Sequence, residues 1–280
     1  MAYEFSVLAN FKIDSEERLK RLKDSFNSFY KANINSWHIN VRGEFKDEVK
    51  KFLTDKNISK LNISHLESKN GWFSDTSEIV KNIDSKIIFC WIEDHISIKD
   101  IRIINSCVKE MHENNVDHLV YTFFHKGKIR NLLDFVTFEK KNFVSFFDLN
   151  LENYKKIEKE IKLKNLKYPY LVSLCSFISK DLLKKNLQIS NSKKKYNNLL
   201  PFNFERSFFE NEIIPFNAGF LNDELFVSID DDHGEKGYSL ISRNLYPNRM
   251  TKIEMDKIRS RGIKIYHSSI LQKILNFFKF

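Results

Sequence analysis

The sequence lacks the features that mark secreted and membrane-spanning proteins. Its three cysteines, Cys90, Cys107 and Cys175, lie far apart in apolar segments, which predicts buried free thiols in a reducing compartment. No stretch approaches the roughly 18 uninterrupted apolar residues of a membrane span. The amino-terminal Met-Ala-Tyr-Glu-Phe-Ser-Val also has neither the charged region nor the apolar run of a signal peptide. We therefore expect a protein that is made and kept in the cytoplasm.

Charge of one sign prevails in this chain. The sequence has 46 Lys and Arg against 37 Asp and Glu, a net charge of +9, which predicts an anionic partner: nucleic acid, anionic lipid or a phosphate-bearing ligand. The lysines are spread along the chain, and no recognition motif with interleaved aromatic residues is present. We therefore expect no nucleic-acid partner, although the basic cluster Lys193 to Lys195 keeps a nucleic-acid-binding protein as a rival.

Strands and helices alternate four times before residue 100, and apolar residues make up 42% of the 280 residues, enough for one large core. This alternation predicts an α/β fold with a mostly parallel sheet and helices on both faces. The predicted strands are Phe5–Phe11, Trp37–Val41, Ile58–His65, Ile87–Ile92, His118–Phe124, Phe143–Phe147, Tyr170–Ile178 and Phe226–Ile229. The predicted helices are Ser15–Phe29, Lys46–Leu53, Thr76–Ile83, Ile98–Asn114, Tyr154–Lys162 and Lys180–Leu187. We expect one domain over residues 1–265 and a short amphipathic helix over 266–280.

The chain is organised around an apolar run, Ile87 to Ile92, that ends in Glu93, Asp94 and His95. Ligands of open α/β sheets collect at the carboxyl ends of strands. Carboxylate oxygens there suit a hard divalent cation, and manganese tolerates an imidazole ligand. The triplet is equally consistent with an acidic surface turn after a core strand.

Two further segments each have two interpretations. Asp230 to His233 is a second acidic group with a histidine, either a fold that closes over a ligand or a solvated turn. The last sixteen residues are rich in aliphatic and aromatic side chains with Lys273 and Lys279 between them. They fit a helix lying on an anionic membrane or a final helix packed on the domain.

The order of these elements and the position of the triplet resemble the GT-A class of nucleotide-sugar glycosyltransferases. The similarity is to family-2-like bacterial enzymes that build capsule and lipopolysaccharide. The residues that carry it are the opening unit Phe5 to Phe29, the second unit Trp37 to Leu53, and Trp91-Ile-Glu-Asp-His95 in place of an Asp-X-Asp metal motif. The sequence departs from the family after the second strand, where Val41-Arg42-Gly43-Glu44 replaces an acidic turn. Arg42 could face a diphosphate or a uracil carbonyl there, or pair with Glu44 on the surface.

The resemblance implies an inverting transferase with manganese or magnesium as cofactor and a nucleotide-sugar donor, which we expect to be UDP-linked. It implies a glycan or lipid-linked glycan as acceptor, and peripheral contact with an anionic membrane at the inner face of the cell membrane. The donor half would span about residues 1–125 and the acceptor half 126–265. Glu205 is the implied catalytic base. The implied donor-binding residues are Asn10, Phe11, Asp14, Arg18, Arg42, Glu93 and Arg243. The implied metal ligands are Asp94, His95, Asp232 and His233.

A different enzyme class remains open. The two acidic groups could form one cluster, with Glu93, Asp94, Asp230, Asp232 and His233 as its members. Such a cluster would suit a metal-dependent phosphoesterase or nuclease. This rival predicts metal-dependent hydrolysis of a phosphodiester without a sugar acceptor, whereas the transferase predicts binding of a nucleotide diphosphate.

Overall fold

The computed structural model describes residues 3–120, 136–164, 172–192, 201, 204–205, 214–230, 239–243 and 245–246. The predicted ligands Asp232 and His233, the Lys193 to Lys195 cluster and the predicted helix over 266–280 lie outside these residues.

Eleven strands and six helices are present in the described part of the chain. The strands are β1 Phe5–Lys12, β2 Ile34–Arg42, β3 Leu61–Ser64, β4 Ile87–Cys90, β5 His95–Ser97, β6 His118–Val120, β7 Glu139–Lys140, β8 Val144–Leu149, β9 Ser176–Ser179, β10 Phe216–Leu221 and β11 Phe226–Ser228. The helices are α1 Glu16–Phe29, α2 Lys46–Asp55, α3 Trp72–Lys81, α4 Ile101–Glu113, α5 Leu151–Leu163 and α6 Lys180–Ser192.

Nine of the strands form one sheet in the order β3-β2-β1-β4-β9-β6-β10-β8-β7, and only β8 and β9 run against the others. The chain moves from β1 outward to β2 and β3, and then crosses back to place β4 on the other side of β1. The sheet therefore reverses its strand order between β1 and β4. In open α/β sheets, the crevice outside the carboxyl ends of the strands at such a reversal is the usual ligand site.

Helices cover both faces of the sheet. On one face α1, α2 and α4 bury their apolar sides against the sheet, with Phe26, Leu53 and Met111 fully buried. On the other face α3, α5 and α6 do the same, as Phe73, Ile157 and Leu183 show. The predicted fold class, a mostly parallel sheet with helices on both faces, is confirmed.

The structure differs from the predicted elements near the acidic triplet. The sequence suggested that the chain passes from the triplet into a helix, but the three residues of β5 come first and pair antiparallel with β11. The helix predicted to begin at Thr76 starts at Trp72, after Gly71 with φ +90°. The strand predicted over Tyr170–Ile178 begins at Ser176 in the described residues. Among the described residues, no helix is both long enough and apolar enough to cross a membrane.

Candidate active site at the carboxyl edge of the sheet

Helix α1 positions the site, because one of its sides packs on the sheet and another contacts the acidic turn. Ser15 caps it, and its side chain accepts a hydrogen bond from the Arg18 backbone N–H at 3.2 Å. The acidic first turn, Glu16 and Glu17, suits the positive end of the helix dipole. Leu22 and Phe26 bury the apolar side against the sheet, which fixes where the polar side next to it must lie.

That polar side is a stripe of four residues at helical spacing: Arg18, Arg21, Ser25 and Ser28. Ser25 donates to the carbonyl of His95 and accepts the Trp91 indole N–H at 2.8 Å. Ser28 accepts the backbone N–H of Ser97 at 2.9 Å. The stripe therefore holds the turn between β4 and β5, where the acidic triplet lies.

Glu93 is paired with Arg18. The Arg18 Nε donates to Glu93 Oε1 at 2.8 Å, and the Glu93 side chain is only 7% exposed. Burial, followed by the neighbouring charge of Asp94, raises the pKa of Glu93, and Arg18 opposes this shift. Without Arg18, an ionised Glu93 would be poorly tolerated at this position.

The Asp94 carboxylate is paired with His95. Its Oδ1 lies 2.6 Å from His95 Nδ1, and its side chain is 37% exposed. Burial raises the pKa of Asp94, but the charges and hydrogen bond of His95, Arg21 and Arg18 outweigh burial and lower the pKa overall. Asp94 is thus a negative group that solvent or a ligand can reach.

A further carboxylate, Asp230, joins the site from the end of β11. Because β11 pairs with β5 and the Ile229 N–H donates to the Asp94 carbonyl at 2.7 Å, Asp230 follows directly beside Asp94. Arg21 donates to both Asp230 and Glu17. Asp230 Oδ1 is buried and has no hydrogen-bond partner among the described residues. The sequence placed Asp230 in the second acidic group, but only the β5–β11 pairing brings it here.

Arg21 is the cation shared by these carboxylates. Its side chain is only 13% exposed. Burial lowers the pKa of Arg21, but Asp230, Glu17 and Asp94 more than offset this and raise it. Its helical spacing from Arg18 was visible in the sequence, although its partners were not.

The carboxyl end of β1 carries an amide network. The Asn10 Nδ2 donates to the Thr76 hydroxyl at 3.0 Å and to the Trp72 carbonyl at 3.3 Å. Its Oδ1 accepts from Asn40 at 3.0 Å and from Arg42 Nη2 at 3.5 Å. The Asn10 amide therefore joins β1, β2 and α3.

Arg42 and Asp14 lie at the same edge. The Arg42 Nε is buried and has no hydrogen-bond partner in the part of the chain that the structure describes. Asp14 forms an exposed ion pair with Lys12 at 2.7 Å, and this hydrogen bond lowers the pKa of Asp14. Arg42 and Lys12 pair directly in the β1–β2 register, so two cationic side chains leave the sheet side by side.

Gly43 lets the loops after β1 and β2 approach each other. Its φ is +97°, and a Cβ at this position would lie 2.4 Å from the Ile13 carbonyl oxygen and 2.5 Å from Asp14 Oδ1. Only glycine adopts this backbone without strain and leaves room for the neighbouring loop. Gly43 thus lets Asp14 lie against the turn that follows β2.

Glu205 is tied to the segment that precedes β9. Its Oε1 accepts the Leu174 backbone N–H at 2.9 Å, and the preceding Phe204 packs edge-on to Trp72. Burial, then the charges of Asp94, Cys90 and Glu205, raise the pKa of the neighbouring Cys175. The charges of Asp94 and Glu205 therefore both act on the same buried thiol.

Two other predicted donor-binding residues have structural partners. The Phe11 side chain is 6% exposed and packs edge-on to Trp91, with ring centroids 5.2 Å apart. The Arg243 guanidinium forms a bidentate ion pair with Glu224, in which Nη2 donates to Glu224 Oε1 at 2.8 Å. The structure places Phe11 in the core and Arg243 beside the loop between β10 and β11.

The described residues supply oxygen donors but do not build a metal site on their own. Glu17, Glu93 and Asp230 are paired with Arg18 and Arg21, and Asp94 is hydrogen-bonded to His95. The buried Asp230 Oδ1 and the accessible Asp94 are oxygen donors suited to Mg²⁺ or Mn²⁺. Yet no group of three or more His, Cys, Asp or Glu side chains arranged to hold a metal is found among the described residues. Any further ligand would come from outside them, where Asp232 and His233 lie.

Comparisons with known proteins gave structural matches only. No family model and no curated protein matches this sequence. The crystal structure of S. aureus TarS 1-349 matches with a TM-score of 0.47 at 15% identity, over 80% of this chain and 59% of that one. Its complex with UDP-GlcNAc matches with a TM-score of 0.47 at 14% identity, over 95% and 73%. The complex with UDP matches with a TM-score of 0.45 at 14% identity, over 80% and 59%. Likeness at this level carries no argument about the ligand or activity of the present chain.

Proposed function

We propose that this chain is a glycosyltransferase that takes a sugar from a nucleotide-diphosphate donor, with a UDP-linked sugar as the expected donor. The acceptor is a bacterial surface glycan of the capsule or lipopolysaccharide type, free or lipid-linked. One observation carries the proposal. An acidic turn, ion-paired with Arg18 of α1, lies at the carboxyl ends of the strands beside the reversal between β1 and β4, and β1 and β2 end at the same edge of the sheet in the cationic pair Lys12 and Arg42.

The charges of this edge suit a diphosphate. Lys12 and Arg42 leave the sheet together, and Arg42 has a buried Nε with donor capacity that the described residues leave unused. A guanidinium suits phosphate because it can donate two parallel hydrogen bonds. In the proposed reaction these cations hold the diphosphate, and Asn10 keeps the ends of β1 and β2 in register.

A divalent cation, manganese or magnesium, belongs to the proposal as cofactor. Asp94 and Asp230 would hold it, with Asp232 and His233 as proposed further ligands. When bound, it would neutralise the charge that develops on the leaving diphosphate. Arg18 keeps Glu93 in place, and the Asp94–His95 hydrogen bond orients the carboxylate that faces the ligand.

Glu205 is the proposed base of an inverting transfer. Such a reaction requires a carboxylate that removes the proton of the acceptor hydroxyl as the sugar is transferred. The hydrogen bond from the Leu174 N–H supports this proposal by fixing the orientation of the Glu205 carboxylate.

Ligand-induced thermal stabilisation tests the proposal. The native chain and Asp94→Ala are melted with a panel of nucleotides and nucleotide sugars, with and without manganese. A ligand at about one hundred times its Kd stabilises the native state by about 2.7 kcal/mol, a shift of several degrees for a chain of this size. We expect one nucleoside diphosphate and its sugar to raise the Tm with manganese, and Asp94→Ala to remove the effect.

Asp47→Ala is the matched control, because Asp47 is a 78% exposed carboxylate on α2. It should respond to ligands as the native chain does. If no nucleotide or nucleotide sugar shifts the native chain, the transferase proposal fails. Metal-dependent cleavage of a phosphodiester would then favour the phosphoesterase, and salt-dependent binding of DNA or RNA would favour the nucleic-acid-binding protein.

A further inference from the structure

We propose that His118 is a positioning residue for Glu205: it holds the backbone segment that in turn holds the carboxylate of the proposed base. This inference rests on the proposed function, in which Glu205 removes the proton of the acceptor hydroxyl. It assigns a role to a buried histidine of β6 that the proposed chemistry does not otherwise use.

The segment that precedes β9 joins the two residues. Residues 172–175 belong to no helix or strand, and all four are buried, from 0% to 8% exposed. Buried backbone N–H and C=O groups need hydrogen-bond partners, and outside helices and sheets these partners are commonly side chains. The shape of this segment therefore depends on side chains that other parts of the fold supply.

His118 and Glu205 bond to consecutive residues of this segment. The Ser173 N–H donates to His118 Nε2 at 3.3 Å, and the Leu174 N–H donates to Glu205 Oε1 at 2.9 Å. His118 Nε2 also lies 3.4 Å from the Ser173 carbonyl oxygen, so either tautomer of the ring can bond to Ser173. The imidazole thus fixes Ser173, and the next N–H along the chain fixes the Glu205 carboxylate.

The peptide unit between Ser173 and Leu174 transmits this position. Its carbonyl also accepts the Ser176 hydroxyl at 2.7 Å. A peptide unit is planar, so the direction of the Leu174 N–H follows from how Ser173 and its carbonyl are held. Losing the His118 contact would therefore loosen the N–H that orients Glu205.

His118 is the rigid end of this connection. It lies on β6 between β9 and β10 and is 0% exposed. Glu205 is partly exposed, so solvent reaches the side chain that the segment orients. The segment continues into β9, where Ser176 pairs with Cys90 at the end of β4. A shift of the segment would therefore move Glu205 relative to the acidic turn that follows β4.

Amide hydrogen exchange of Leu174, resolved by nuclear magnetic resonance on the full-length chain at pH 7, tests this proposal. Exchange reports how often the local hydrogen bond opens. We expect His118→Leu, which has no ring nitrogen, to speed exchange of the Leu174 amide at least about fivefold. His118→Gln places an amide that can donate and accept near the position of Nε2, and should keep exchange within about twofold of the native rate. His112→Leu makes the same change at an exposed histidine of α4 and should leave the rate unchanged.

Cleavage of UDP, GDP and TDP sugars is measured on the same variants as release of nucleoside diphosphate, with water in place of the acceptor hydroxyl. A base that is held in place contributes about 10²–10⁴-fold. His118→Leu should therefore slow release at least about tenfold, and His118→Gln should restore most of the rate. In Glu205→Gln the base is already absent, so adding His118→Leu should slow release by less than about a further twofold.

The proposal is overturned if a folded His118→Leu exchanges the Leu174 amide at the native rate, or if His118→Gln exchanges it as fast as His118→Leu does. It is also overturned if His112→Leu gives the same gain, or if the losses of His118→Leu and Glu205→Gln multiply. If His118→Leu does not fold, Glu205→Ala decides instead: coupling is reciprocal, so this change should speed exchange of the Ser173 amide, and a native rate there overturns the proposal. A failure of the transferase proposal is distinguishable, because no sugar nucleotide would then be cleaved, while the exchange rates would still show whether His118 holds the segment that orients Glu205.

Discussion

Acidification should destabilise the protein through one buried histidine, His118. This residue lies on β6, is 0% exposed, and its Nε2 accepts the Ser173 backbone N–H at 3.3 Å. Its Nδ1 is buried and has no hydrogen-bond partner within the described residues. Burial lowers the pKa of His118 from 6.5 to about 4, because a charged imidazole would be poorly solvated there.

The sign and size of the effect follow from this pKa. Above pH 6.5 the histidine is neutral in the folded and unfolded chains alike, so it causes no pH dependence there. Below pH 6.5 the unfolded chain takes up a proton that the folded chain does not, and the free energy of unfolding falls. At about 1.4 kcal/mol per pH unit, the loss is about 2 kcal/mol by pH 5 and about 3 kcal/mol by pH 4.

Urea unfolding at pH 7, 6 and 5 measures this loss in the native chain, in His118→Gln and in His65→Gln. Between pH 7 and pH 5, the free energy of unfolding of the native chain should fall by about 2 kcal/mol relative to that of His118→Gln. His65→Gln changes an exposed histidine and should follow the native curve. The reasoning is refuted if the difference between the native chain and His118→Gln is the same at all three pH values.

Two further predictions concern stability at neutral pH. Gly43→Ala should lose about 2 kcal/mol or more of unfolding free energy in urea, because φ is +97° and the new Cβ would lie 2.4 Å from the Ile13 carbonyl oxygen. Lys51→Ala changes an exposed residue of α2 and should leave the urea midpoint unchanged. Glu110→Gln should lower the free energy of unfolding by about 1–3 kcal/mol, because the Glu110 carboxylate accepts the backbone N–H groups of Asn142, Phe143 and Val144 at 3.2, 2.9 and 3.0 Å. Glu152→Gln, at an exposed position, is the control. An unchanged urea midpoint of Glu110→Gln would contradict this role.

The sequence predicts the elements better than their arrangement. Local patterns located the first strand, its capped helix and the apolar run into the triplet, because hydrophobic periodicity and capping act within a few residues. The three-residue β5 is too short to leave a periodic pattern. Its existence depends on pairing with β11, more than 120 residues further along the chain, which no local signal reports.

The same limit explains which candidate residues the sequence singles out. Glu93, Asp94 and His95 stand out because they follow a core strand directly, and Arg42 because it ends a strand. Arg21 was overlooked because a helix is usually interpreted through its apolar side, here Leu22 and Phe26, while its other side is assumed to face solvent. Arg18, Arg21, Ser25 and Ser28 nevertheless share one side at spacings of three and four.

A polar stripe of this kind indicates a second buried contact of the helix. Arginine and serine side chains that all faced water would gain little from a common side, whereas buried polar groups need partners. On α1 those partners are Trp91 before the acidic turn, the backbone of β5 after it, and the carboxylate after β11. The helix thereby joins a short-range feature, the acidic triplet, to a long-range one, Asp230. A site built in this way requires the folded sheet, because its carboxylates come together only when α1, β5 and β11 are all in place.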